Sequence, residues 1–372
     1  MTIYTPIVRP TPARGLGNIE LVADSVPYNI GSDEIIPLYE SFESSNLTRS
    51  FPRLLRFKRI LVDYPLYLDG NSSLGRRLNG SSIVEIARDL KGFDQSSEII
   101  PVISQDNLRA FAYQNLLQEF NTKKVQLEKL QYSKFAFRIF VGPEKLNNEQ
   151  VVEDFADLMG KDDILLIDNL EPSGRIECLL QNIKFISQIV KQRRPTATII
   201  LLNLFNTESL QSNNVTQHNF GPISACLNDV SGFGDMLIET RFPTELGPGA
   251  RSRGYSGNRH VRIFDYTRYS LLDLGFNRTR GETAHGVATS DVQANAILSD
   301  HQQNCEFCYD LYMGTLGSGD EALKRFRNGH YLRSILNDIF PAMAQHDDPS
   351  DLDMEGADLI RNVISGDYVM GC

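Results

Sequence analysis

The chain has 372 residues, no tryptophan and only five cysteines, at positions 178, 226, 305, 308 and 372. The missing tryptophan excludes nothing by itself. An odd, sparse cysteine set in a chain this long argues against a disulfide framework and fits a reducing, cytoplasmic setting. The run of roughly 18 apolar residues that a membrane-spanning helix needs is nowhere present. The first residues, MTIYTPIVRPTPARG, carry no apolar signal core. Positive charge is also short. Lysine and arginine number 37 against 47 acids, a net charge of −10, which disfavours a protein built to coat nucleic acid or anionic membrane. Walker loop, nucleophile elbow, HExxH and EF-hand patterns are all missing. So is the glycine-rich strand-to-helix turn of a nucleotide-binding open sheet.

What remains is ordinary for a folded domain: 41% hydrophobic and 23% charged residues. Short apolar runs recur along the first two thirds. They lie at Ile3–Val8, Ile35–Glu40, Ile60–Asp63, Ile99–Ser104, Phe135–Val141, Ile164–Asp168, Thr198–Asn203 and Asp235–Glu239. Near-continuous Ile/Leu/Val runs are what strands buried on both faces look like. Helical spacing fills several gaps. The clearest case is Asn107–Leu130, with Leu108, Phe111, Ala112, Leu116, Leu117 and Phe120 on one face. Asn148–Met159 and Arg175–Val190 follow the same pattern, while Asn46–Phe57 and Ser82–Leu90 are weaker. Eight strands alternating with helices predict an α/β fold, a (β/α)8 TIM-like barrel over residues 1–245.

The pattern then changes. Residues 246–344 predict a C-terminal extension: an Arg/Gly-rich loop, a hairpin from Val261–Thr267 and Tyr269–Gly275, and helices over Leu298–Met313 and Ala322–Phe340. Residues 345–372 read as an acidic, mobile tail.

The order of short motifs resembles the "beta protein" family of bacteria and phages. The residues that carry it are Tyr4-Thr5-Pro6, Ile36-Pro37-Leu38-Tyr39-Glu40, Asp63, Pro101-Val102, Arg138 and Asp168. They continue with Phe233-Gly234-Asp235, Tyr266-Thr267, Gly319-Asp320 and Arg327-Asn328-Gly329-His330-Tyr331. Phe326 and Tyr331 stand where that family often has tryptophan and a second histidine. The resemblance implies this architecture across nearly the whole chain and a setting in phage defence or mobile elements. It implies no particular chemistry.

Barrel active sites lie at the C-terminal ends of the strands. That rule selects Arg9, Glu40, Asp63, Asp168, Asn203 and Glu239. Clustered carboxylates need a cation between them. Arg138, inside the fifth run, is one solution, and Mg²⁺ or Mn²⁺ is another. Either the set performs metal-assisted or carboxylate-driven hydrolysis of a phosphate ester, or the acids cap helices and pair with arginine. For Arg138 the plain expectation is a buried salt bridge to Asp168 or Asp63.

Between residues 241 and 280 eight arginines stand against three acids. Arg251, Arg253, Tyr255 and Arg259 read as an anion-binding loop, with arginine gripping phosphate and tyrosine stacking on a base. A solvated loop is the plain alternative. His330 reads either as a general acid–base group brought over the barrel mouth or as a packing histidine. Cys305-Glu-Phe-Cys308 has metal-type spacing, with His301 four residues earlier, but no second cysteine pair exists. It reads as two buried helix cysteines.

Two functions follow. The first is a non-catalytic or weakly catalytic recognition subunit of a phage-defence system, binding a partner nuclease, a phage component or a phosphate-bearing ligand, in a stable complex or an oligomer. The second is a metal-assisted phosphoesterase acting on a nucleotide or nucleic-acid end. Membrane binding is not expected of either.

Overall fold

The computed structural model describes residues 3–8, 19, 22–23, 35–40, 51–64, 82–93, 97–104, 113–141, 149–169, 176–202, 216–217, 230–235, 258–265, 270–317 and 319–336. These fall into two compact units. Among the described residues no helix is long and apolar enough to cross a membrane.

The first unit is a closed, all-parallel eight-stranded barrel. Its strands are β1 (Ile3–Val8), β2 (Leu38–Glu40), β3 (Arg59–Asp63), β4 (Glu98–Ser104), β5 (Ala136–Val141), β6 (Ile164–Asn169), β7 (Thr198–Leu202) and β9 (Gly232–Asp235), paired in that order until β9 closes on β1. The helices described between them are α1 (Ile83–Leu90), α2 (Tyr113–Lys129), α3 (Glu149–Leu158) and α4 (Ile176–Arg193). This is the (β/α)8 architecture that the alternation predicts.

Successive side chains of a strand point to opposite faces, and the core divides accordingly. Leu38, Leu61, Val102, Ala136, Leu166 and Ile200 belong to one cluster, which fills the barrel. Phe137, Ile139, Leu165, Ile167 and Leu201 belong to the other, with Phe120 of α2 and Phe155 of α3. There Phe120, Phe137 and Phe155 form a triangle of rings with centroids 5.7–5.8 Å apart. Helix α1 starts at a capping box. The Ser82 hydroxyl accepts from the Glu85 N–H, and the Glu85 carboxylate accepts from the Ser82 N–H.

The eighth barrel strand differs from expectation. Hydropathy selects Asp235–Glu239, whereas the described strand is Gly232–Asp235. Its two glycines are required by the closure. A Cβ on Gly232 would lie 2.0 Å from the Ile3 carbonyl oxygen, and one on Gly234 2.2 Å from that of Thr5. Apolarity is therefore the wrong signal at this seam, where close backbone approach decides.

The second unit contains a three-stranded antiparallel sheet of β8 (Thr216–Gln217), β10 (Asn258–Asp265) and β11 (Ser270–Asn277). β8 comes from between β7 and β9 in sequence, inside the span read above as purely barrel. Among the described residues of this unit are four helices: α5 (Ala284–Ser290), α6 (Val292–His301), α7 (Glu306–Tyr312) and α8 (Asp320–Ser334). The single helix expected over Leu298–Met313 is thus two. The chain turns after His301, whose carbonyl accepts from the N–H groups of Asn304 and Cys305. His285 lies in α5, which Thr283 caps by accepting from the Gly286 N–H. The expected acidic tail, 345–372, lies outside the described residues.

Candidate functional site

The site in the barrel grows from the pleat. Glu40, Asp63, Ser104, Arg138 and Asp168 each stand two residues beyond an interior apolar residue: Leu38, Leu61, Val102, Ala136 and Leu166. Period-two alternation therefore turns all five inward, above the apolar layers and towards the C-terminal strand ends. The register sets their heights. Glu40 pairs with Asp63, and Ser104 with Arg138. Arg138 is level with Leu166, and Asp168 is level with Phe140.

The Arg138 guanidinium is the hub. Its Nε donates to Asp168 Oδ2 at 2.9 Å, and its Nη2 donates to the same oxygen. Nη1 donates to Glu40 Oε1 and to Asp63 Oδ2, each at 2.6 Å. The other Asp63 oxygen accepts from the Ser104 hydroxyl at 2.6 Å. All four charged side chains are wholly buried. The Phe140 ring lies under the guanidinium, 5.4 Å from its centroid. Lys123 of α2 donates to the last carbonyl of β4, that of Ser104, and to Glu119.

Among these described groups three carboxylates share one cation. Burial pushes the Asp63 carboxyl above the ordinary carboxylate range, Arg138 opposes that shift and Glu40 adds to it.

Among the other residues singled out above, Arg9, Asn203, Glu239, Arg251, Arg253 and Tyr255 lie outside the described residues. Arg259 of β10 has its Nε 2.9 Å from Asp320 Oδ1. Beside it, His260 and Arg262 both meet Asp273 of β11. Two groups absent from the sequence list emerge. Ser104 is one. The other is the bond, 2.9 Å long, in which the Tyr4 hydroxyl donates to Asp235 Oδ1 across the β1–β9 seam.

His330 lies in the core of the second unit, wholly buried, so neither ring nitrogen is exposed for work at a barrel mouth. Its Nδ1 is 3.1 Å from Cys308 Sγ and 3.9 Å from Cys305 Sγ. Its Nε2 is 2.8 Å from the Phe264 carbonyl oxygen. The ring stacks on Phe326, and the His301 ring stands edge-on to it, 5.4 Å between centroids. The Cys305 thiol is pulled down to about 4, first by a hydrogen bond with Cys308 and then by His330, against the opposing effect of burial. Burial and the neighbouring His330 push His301 below the ordinary imidazole range.

The sequence matches no protein-family model and no curated protein. Among solved structures it is similar to a 3-dehydroquinate dehydratase from Geobacillus kaustophilus, at 10% identity and a TM-score of 0.34. The match covers 63% of this chain and 82% of that one.

Proposed function

We propose that this chain is a recognition subunit rather than a turnover enzyme. The setting is the phage-defence or mobile-element one that its family resemblance implies. The barrel serves as scaffold, and the ligand is a protein partner or a phosphate-bearing group. One observation carries this reading: Arg138 holds the place between the strand-end carboxylates that a catalytic Mg²⁺ or Mn²⁺ would take. A guanidinium bound by three buried carboxylates is also a poor phosphate clamp, because a phosphate must displace one of them. Anion binding then falls to the arginine-rich stretch with Arg251 and Arg253, a reading that rests on the sequence alone.

The test is a thermal-shift series with Mg²⁺, Mn²⁺, nucleotides and short oligonucleotides. A ligand at 100 times its dissociation constant stabilises by about 2.7 kcal/mol. The expected result is no shift with either metal, and any oligonucleotide shift lost in R251E/R253E. Metal-dependent stabilisation together with phosphodiester hydrolysis abolished in D63N would overturn the proposal.

The raised Asp63 carboxyl favours a second reading, a carboxylate-driven phosphoesterase with Asp63 as general acid. Its signature would be hydrolysis whose rate falls as pH rises through the Asp63 titration.

A further inference from the structure

We propose that the second unit holds a structural Zn²⁺ ion bound by Cys305, Cys308, His301 and His330. Distances carry His301, Cys308 and His330 as ligands, and the charge of the site adds Cys305. In tetrahedral zinc sites the bond lengths, about 2.3 Å to sulfur and 2.0–2.1 Å to nitrogen, put sulfur and nitrogen ligands about 3.6 Å apart. The two sulfurs lie 3.1 and 3.9 Å from His330 Nδ1, one on each side of that value. Ligand atoms of His301, Cys308 and His330 all lie within 4.8 Å of one another.

The orientation of His330 is a second, independent observation. Its Nε2 meets the Phe264 carbonyl, which can only accept, so Nε2 carries the proton. In the neutral imidazole, the form that binds a metal, Nδ1 is then the lone-pair nitrogen, and it faces both sulfurs. A backbone carbonyl that fixes the far ring nitrogen is the usual outer-shell partner of a zinc-bound histidine. Stacking on Phe326 holds the ring plane.

Charge balance selects the fourth ligand. Zn²⁺ with two thiolates and two neutral imidazoles carries no net charge, which suits a buried site. With Cys308 as the only thiolate the site would keep a buried positive charge, at high cost. Both cysteines bind as thiolates, so a proton still held by either sulfur leaves on binding. A redox-active dithiol has the same CxxC spacing, but such thiols need access to a partner. Here Cys305 is 2% and Cys308 0% exposed.

The ligands come from the end of α6, the start of α7 and the middle of α8, and β10 supplies the carbonyl behind His330. The ion would pin three helices to the sheet that carries Arg259 and Arg262. It belongs to this unit alone and is independent of the barrel reading.

The experiment uses the full chain, expressed with zinc in the medium and purified without chelator. Elemental analysis should find about one zinc per chain. A mercurial that caps the thiols should release that zinc to a chromogenic chelator. Cobalt exchanged into the same site should show intense visible bands and thiolate-to-cobalt charge transfer. C308S and H330A should lose most of the metal. If those variants fail to fold, the mercurial and cobalt measurements on the unaltered chain decide. Three results overturn the proposal: no retained zinc and no tetrahedral cobalt spectrum, zinc kept by a folded C305S/C308S variant, or a Cys305–Cys308 disulfide in protein trapped with an alkylating agent at lysis.

Discussion

Replacing Arg138 with methionine isolates the electrostatics of the barrel core. Methionine fills a similar volume but supplies no charge and no N–H donor. Glu40, Asp63 and Asp168 would remain buried without the guanidinium that now binds all three. Removing one partner of a buried ion pair costs about 3–5 kcal/mol, because the other charge is left uncompensated. For a unit of this size each kcal/mol shifts the melting temperature by about 2–4 °C, so the expected loss is roughly 6–20 °C. The loss should shrink as pH falls. Without the cation, burial and mutual repulsion hold the carboxyl pKa values of the folded variant above their unfolded values. Its stability is then greatest below the unfolded values and is lost as pH rises through the raised ones. The decisive comparison is R138M with E40Q/D63N/D168N added. Replacing a whole buried ion cluster with neutral groups is often neutral or stabilising by about 1–4 kcal/mol, so the combined variant should recover most of the loss. Melting followed by far-UV circular dichroism suits a chain that has no tryptophan. A loss below about 1 kcal/mol in R138M, or a combined variant no better than R138M, would refute this reasoning.

D63N should flatten the pH dependence of the unaltered protein. The raised folded-state pKa of Asp63 means stability fully present below the unfolded value and lost as pH rises through the folded one. An amide cannot ionise, so melting curves across pH should converge at low pH and show D63N ahead at high pH; parallel curves would contradict this. G234A should cost about 1–3 kcal/mol through overpacking at the barrel seam, because its Cβ would lie 2.2 Å from a carbonyl oxygen. G92A, whose Cβ would meet only an ordinary 3.5 Å contact, is the control, and equal melting temperatures for the two would dismiss the steric account. S82A removes the capping box of α1 and should cost about 1 kcal/mol in urea unfolding, with the slope unchanged.

The barrel was legible because its strands are buried on both faces, so hydropathy alone marks Ile60–Asp63 or Ile164–Asp168. The same signal misplaced the eighth strand, since Gly232 and Gly234 are chosen for clearance rather than apolarity. Asp63 and Asp168 were legible as partners for Arg138, because a strand arginine flanked by buried strands needs acids from its neighbours. Glu40 was legible as a strand end, and only the barrel's curvature brings it to the same guanidinium. Ser104 gave no sequence signal beyond its place two residues after Val102.

In the second unit the division is sharper. Cys305 and Cys308 announce a spacing, and the turn after His301 is local. Nothing in the chain order says that His330, on a separate helix, closes over both sulfurs, or that the Phe264 carbonyl sets its tautomer. Local periodicity determined this protein's elements and the faces they bury, because burial period and strand length are properties of short segments. Which charges and ligands meet was decided only by the tertiary structure. Meeting requires barrel closure, register and helix packing, which join residues as far apart as Glu40 and Arg138.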